Sequence, residues 1–265
     1  MRKLPLFRRT LRESWRGLLG WTLGITAALA LYLPLYPSIG GNDQLQQIID
    51  GLPPELVSAL GYEQIGTGAG YAQATFYGLV GFVLVTIAAT SWGASAVAGA
   101  EESGRLELDL AHGIGRRSYA LQAALALLVR LLWLTAVAGM IVALLNVPSQ
   151  LKIDPANIVA ATAALLGLTL LGGGTALLVG ALTGRRSWAT AAGAGIAVVG
   201  YALNAVANQV PDAQWLRILS PYSWAYHRPP LSDGADALGL AVLWAASAVV
   251  IAASAEALQR RDVTA

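Results

Sequence analysis

Six apolar segments, each long enough to cross a bilayer, alternate with shorter polar or Gly/Pro-rich segments along the 265 residues of the chain. A hydrocarbon core about 30 Å thick needs roughly 20 apolar residues per helix. In lipid such a segment is a helix, because a helix satisfies its own backbone hydrogen bonds. The pattern therefore predicts an all-α membrane protein with six transmembrane helices, at residues 18–36, 74–98, 120–147, 158–182, 188–207 and 237–257.

The composition supports the same class of protein. Hydrophobic residues make up 56% of the chain and charged residues only 12%, about half the charged fraction of a soluble domain. A soluble fold of this size would need a polar surface that these residues do not supply. The formal net charge of +2 gives no indication of a nucleic-acid partner. The absence of cysteine excludes disulfides and thiol-based sites.

The lysine and arginine residues orient the predicted helices. Thirteen of them lie in the two termini and in the loops that follow the second and fourth spans, against three in the loops on the other side. Loops rich in these residues stay in the cytoplasm. Both termini are therefore predicted to be cytoplasmic, and the chain to be one multi-pass domain over residues 1–265.

The segments outside the spans have patterns of their own. Residues 1–16 carry six basic side chains with apolar residues between them, which is typical of an interfacial helix, although a basic topogenic tail is an alternative. The external loop 37–73 has apolar residues at helical spacing, which predicts two short amphipathic helices. The external loop 209–236, with "WLRILSPYSWAYHRPPL", predicts interfacial or partly inserted segments. Small residues that suggest helix contacts include Gly20, Gly24, Gly167, Gly172, Gly173, Gly174, Gly180, Gly184, Gly193 and Gly200.

Two common motifs, for nucleotide binding and for zinc binding, are absent from the sequence. Neither GxxxxGK[ST] nor HExxH occurs. The segment "WGASAVAG" approaches the GxSxG nucleophile pattern but has Val97 in place of the last glycine, and His112 and His227 are the only histidines. We therefore predict no catalytic residue, no metal site and no directly bound cofactor.

Arg130 is the most costly residue inside a predicted span, about 20 Å along the third helix from Arg117. It could extend toward the cytoplasm or pair structurally with a neighbouring helix. Alternatively, it could line a polar translocation path or bond to Glu101 or Glu102.

Four uncharged polar residues in or next to the spans leave similar alternatives open. Ser91 and Ser95 could contribute hydroxyl groups to a lumen or bond to their own helix. Asn204 and Asn208, near the outer end of the fifth span, could line an exit gate or cap that helix.

Charge is concentrated in the loop between the second and third spans. Residues 99–119 hold seven of the 32 charged residues and contain the alternating run "LELDL". Its period of two is typical of a strand, whereas on a helix Leu106, Leu110 and Ile114 would share one side. A solvated connector is a third interpretation.

The order of these segments resembles that of ABC-2 type transporter permeases. The stretch "EESGRLELDLAHGIGRRSYAL" is similar to the family's cytoplasmic segment after the second span, although Arg105 stands where Thr is common and "HGIGRR" replaces a Pro-x-Ser-Arg pattern. The segment "LSPYSWAYHRPPL" and the ending "LQRRDVTA" resemble other family patterns. The chain also resembles each half of the larger bacterial exporters associated with polyketide antibiotics.

The resemblance implies a function and a set of partners. It implies a non-catalytic permease subunit in a bacterial-type plasma membrane, with ATP and magnesium bound by separate ATPase subunits and a second permease copy or sister permease completing the pathway. Residues 101–117 would form a coupling helix on the ATPase. Contacts with the ATPase would come from Glu101, Glu102, Arg105, Leu106, Glu107, Leu108, Asp109 and Leu110.

The expected substrate is hydrophobic or amphipathic, such as a drug, an antibiotic or a lipid, because few charges lie inside the spans. Outward transport is implied by the resemblance alone. The alternatives are a membrane scaffold or sensor that does not transport and, less in keeping with the motifs, an intramembrane enzyme.

Overall fold

The computed structural model describes residues 4–39, 51, 53 and 65–261. All regular structure in these ranges is helical, which confirms the prediction of an all-α fold. The two amphipathic helices predicted for the first external loop fall largely outside the described residues.

Six helices are long and apolar enough to cross a membrane, as predicted. The first, α1, is followed by a short 3-10 turn at Leu33–Leu35, and the second, α2, contains a π-helical stretch at Gln73–Val80. The six are α1 (Pro5–Tyr32), α2 (Gly68–Ala96), α3 (Arg116–Asn146), α4 (Pro155–Thr183), α5 (Arg186–Gln209) and α6 (Ala237–Arg260).

The N-terminal segment is continuous with the first span. A single helix of 28 residues runs from Pro5 to Tyr32 without a break, which at 1.5 Å per residue is about 42 Å long. Because this exceeds the thickness of the hydrocarbon core, part of α1 must extend beyond it. The interfacial position of residues 1–16 stays a prediction.

Helix α4 forms the centre of the bundle. It packs against α2, α3, α5 and α6, while α1 packs mainly against α3. In its most apolar 18-residue window 78% of α4 is buried, against 17% in α1 and in α6. The outer helices therefore present most of their surface outward, to lipid or to another subunit, whereas α4 is covered by protein.

Glycines allow α4 to approach its neighbours closely. A Cβ atom on Gly93 of α2 would collide with the carbonyl oxygen of Gly173, and one on Gly193 of α5 would lie 2.8 Å from that of Gly172. The pattern of small residues predicted the α4 and α5 glycines but missed Gly93.

The glycines of α1 do not behave as predicted. A Cβ atom on Gly20 or Gly24 would meet no atom within 4 Å. Within the described residues these glycines mark no helix contact, because α1 packs on α3 through a different face. The predicted contacts at Gly20 and Gly24 are therefore not made within the described part of this chain.

The segment between α5 and α6 folds onto the bundle. It contains a 3-10 helix at Pro211–Leu219 and two short helices, Pro221–Tyr226 and Pro230–Asp233. The Ser220 side chain caps the helix Pro221–Tyr226 by accepting a hydrogen bond from the Ser223 N–H. Most of Pro221–Tyr226 is buried against the bundle, whereas the interfacial or partly inserted position of this segment stays a prediction.

Candidate functional site

The charged loop between α2 and α3 is helical. A short helix, Ala98–Glu102, is followed by Gly104 at φ 68° and by the helix Arg105–Ala111, called the loop helix below. Glycine suits this left-handed turn because it has no Cβ. The "LELDL" run therefore forms a helix, although its period of two is typical of a strand.

One face of the loop helix is anchored in the protein. Leu106 has no exposed surface and lies in an apolar cluster with Leu6 of α1, Tyr119 of α3 and Leu258 of α6. Leu110 packs against the same cluster. The loop helix thus contacts α1, α3 and α6 at one end of the bundle. This end, at which α1 begins and α6 ends, is called the basic end below.

The opposite face of the loop helix is open. Leu108 is 61% exposed. Glu107 is half-buried, and its carboxylate has no ion pair or hydrogen bond within the described residues. Arg105 donates from Nε only to the nearby Ser103 hydroxyl, at 3.0 Å. Leu108 and Glu107 are available to a partner, while Arg105 also lines the cavity described below.

Three of the residues predicted to contact the ATPase also have partners inside the chain. The Asp109 carboxylate pairs with Arg9 of α1 at 2.9 Å. Glu101 pairs with Arg261, at the end of α6. Glu102 accepts a hydrogen bond from the Arg186 backbone N–H at 2.8 Å, where a carboxylate stabilises the first turn of α5.

These three interactions therefore connect the loop between α2 and α3 to α1, to the end of α6 and to α5. A sequence pattern could not reveal these pairs, since their members are separated by about 80 to 160 residues.

Arg130 does not bond to Glu101 or Glu102, the partners considered from the sequence. It is only 6% exposed. Its Nε donates to the Ala126 carbonyl at 3.1 Å, and its guanidinium lies 4.7 Å from the centre of the Trp92 ring. The side chain thus extends back by one turn toward the basic end, and it packs on an aromatic face where a cation is stabilised.

A cavity of about 250 Å³ lies beside Arg130, between α1, α2, α3 and the loop helix, and is called the Arg130 cavity below. Its other polar or charged lining residues include Arg9, Thr10, Glu13, Ser95, Arg105 and Asp109. Ser95 is therefore placed at a polar cavity, whereas Ser91 is half-buried elsewhere in α2.

Asn204 and Asn208 hold the segment after α5 in place. The buried Asn204 side chain accepts a hydrogen bond from the Ser223 hydroxyl at 2.8 Å. Asn208 accepts one from the Arg217 guanidinium at 3.2 Å. These bonds join α5 to the segment that follows it.

An aromatic cluster at this end of the bundle was missed by the sequence patterns. The Tyr222 ring lies edge-on to Phe82, Tyr201 and Tyr226, with ring centres 5.1 to 5.3 Å apart. Its hydroxyl donates to the Gly78 carbonyl at 2.8 Å, within the π-helical stretch. The run "SPYSWAY" was the available signal, but it did not indicate the partners.

A family model described as ABC-2 family transporter protein matches residues 4–263. The chain belongs to this family. As an ABC-2 family member it is a multi-pass membrane protein and the transmembrane component of an ABC transporter, which associates with an ABC ATPase. The comparison with curated proteins gives no match.

Proposed function

We propose that this ABC-2 permease exports hydrophobic or amphipathic molecules, using ATP hydrolysed by separate subunits. The basic end and both termini face the cytoplasm of a bacterial-type cell, and a second permease copy or a sister permease completes the pathway. Thirteen lysine and arginine residues on that side against three on the other support this orientation.

The loop helix is the proposed contact with the ATPase. The observation that carries this proposal is its two-sided structure: Leu106 is fully buried among α1, α3 and α6, while Leu108 is 61% exposed. A force on the exposed face would reach several spans at once through Leu106, the Asp109–Arg9 pair and the Glu101–Arg261 pair. Catalytic groups on this chain are not needed for such coupling.

The nature of the spans supports an apolar or amphipathic substrate. Arg130 and Glu256 are the only charged residues in the six predicted spans, and Glu256 is next to the end of the last one. A highly charged cargo would lose its hydration without finding compensating charges along such a path.

The test is replacement of Leu108 by Asp in the permease co-expressed with its ABC ATPase. Because Leu108 is exposed, the variant should fold normally, but a carboxylate on the docking surface should weaken ATPase binding at least tenfold. Co-purification of the ATPase and uptake of a fluorescent amphiphile into inside-out vesicles measure this. Glu107→Lys should act in the same direction.

The matched control is Val147→Asp, at the opposite end of α3, where Val147 is 84% exposed. It should retain ATPase binding and uptake. Normal ATPase binding and uptake in Leu108→Asp would overturn the proposed docking surface, and uptake that needs no ATPase would overturn the proposed function.

A further inference from the structure

We propose that the Arg130 cavity binds the phosphate of a membrane lipid headgroup. The shared chemistry is a phosphate-type anion, which a lipid or the surrounding solution could supply. The proposal goes beyond export and does not depend on it, because binding can be measured without the ATPase.

The first argument is the uncompensated charge of Arg130. Only 6% of the residue is exposed, and Arg130 takes part in none of the ion pairs in the described part of the chain. Burying a guanidinium without an anion is costly, and one carbonyl and the Trp92 ring offset only part of that cost. An anion in the adjoining cavity would supply the missing charge.

The second argument is the balance of charge around the cavity. Three arginines, Arg9, Arg105 and Arg130, and two carboxylates, Glu13 and Asp109, line it. Arg9 binds both carboxylates, at 2.9 Å each. The five charges sum to +1, and among the described residues Arg105 and Arg130 are the cationic side chains of the cavity that have no carboxylate partner.

The third argument is the set of hydrogen-bond donors. Besides the guanidinium groups, the cavity is lined by Ser95 and Thr10, whose hydroxyl groups have no hydrogen-bond partner within the described residues. A forked guanidinium with additional hydroxyl donors suits a tetrahedral oxyanion. A volume of about 250 Å³ has room for a phosphate and several waters.

The fourth argument is the depth of the cavity. The backbone N–H groups of Leu6 and Phe7, at the start of α1, donate to the Gln122 side chain of α3. Ala126, which Arg130 reaches, is one turn further along, or about 6 Å. Because the guanidinium lies near the level at which α1 begins, it is closer to the headgroup region than its position in the span suggests.

The experiment counts the lipids retained by the purified full-length chain in a neutral detergent, by native mass spectrometry. The probes are phosphatidylglycerol, diacylglycerol with the same acyl chains, and inorganic phosphate. We expect one phosphatidylglycerol per chain, bound at least tenfold more tightly than diacylglycerol. Inorganic phosphate should not displace it at equal concentration.

The variants test the residues of the cavity. Arg130→Gln should lower the affinity for phosphatidylglycerol at least tenfold and Ser95→Ala a few-fold. Arg130→Lys keeps the positive charge but not the planar guanidinium, so the loss of affinity for phosphatidylglycerol should be smaller. This variant also keeps the test decisive if Arg130→Gln does not fold. Arg185→Gln, an exposed arginine at the same end of the bundle, is the control and should bind normally.

Equal retention of phosphatidylglycerol and diacylglycerol, or unchanged affinity in folded Arg130 and Ser95 variants, would overturn the proposal. Displacement by an equal concentration of inorganic phosphate would overturn the assignment to a lipid in favour of soluble phosphate.

Discussion

Tyr222 and Tyr226 lie one helical turn apart on the short helix Pro221–Tyr226, yet their hydroxyl groups have different surroundings. Tyr222 donates to the Gly78 carbonyl, whereas the buried Tyr226 hydroxyl has no hydrogen-bond partner within the described residues. Removing a buried hydrogen bond costs about 1 kcal/mol, while removing an unsatisfied polar group does not.

We therefore expect Tyr222→Phe to lower the free energy of unfolding by about 1 kcal/mol and Tyr226→Phe to leave it unchanged or raise it. Denaturant titration of both variants in the same detergent measures this. Equal destabilisation by the two substitutions would contradict the role assigned to the Tyr222 hydroxyl.

Single residues were the least predictable part of this molecule. The cost of burying a charge identified Arg130 as unusual from the sequence, but its contacts with Trp92 and the Ala126 carbonyl depend on how α2 and α3 pack. Similarly, the acidic residues of the loop suggested contacts with another subunit. Their internal partners are Arg9 and Arg261. Nothing in the sequence distinguishes these two arginines from the other basic residues near the termini.

At the scale of helices, the contact between α2 and α4 depends on the absence of a side chain at Gly93. A methyl group there would collide with the Gly173 backbone. Backbone atoms cannot yield as a flexible side chain can, so α2 would have to move. We expect Gly93→Ala to cost about 1 to 3 kcal/mol, seen as a lower midpoint of thermal unfolding in detergent.

Gly20→Ala is the matched control, since its Cβ would meet no atom within 4 Å. Alanine has the higher helix propensity, so the midpoint should stay the same or rise slightly. A comparable loss of stability in the two variants would show that helix packing at Gly93 is not responsible.

The helices themselves were largely predictable because length and apolar character dominate in lipid. Two features escaped that rule. The "LELDL" run has a strand-like period, but with no neighbouring strand in the described loop its backbone groups are satisfied in a helix. Residues 5–16 form one helix with the first span because their sequence contains no glycine or internal proline that would break it.

At the scale of the whole molecule, the Glu101–Arg261 pair joins the loop after α2 to the end of α6. Its two side chains are about 80% buried, with exposures of 19% and 20%. Pairs shielded from water interact more strongly than exposed ones, which contribute about 0.3 to 0.5 kcal/mol when four residues apart on a helix. We expect a double-mutant cycle with Glu101→Gln and Arg261→Gln to give a coupling energy above about 1 kcal/mol.

The exposed Glu256–Arg260 pair in α6 provides the comparison. The same substitutions there should give a smaller coupling energy that added salt removes almost entirely. If the two cycles give the same value, the Glu101–Arg261 pair does not fasten the last span to the loop.

The central position of α4 has a consequence for how the sequence can change over time. Most positions on α4 touch other helices, so a change in side-chain volume there disturbs a close-packed interior. Where the outward faces of α1 and α6 meet lipid, almost any apolar side chain is accommodated, because lipid is fluid and does not require a matching shape. Among descendants of a common ancestor, α4 should therefore diverge most slowly, and the outward faces of α1 and α6 should exchange leucine, valine, isoleucine and phenylalanine freely.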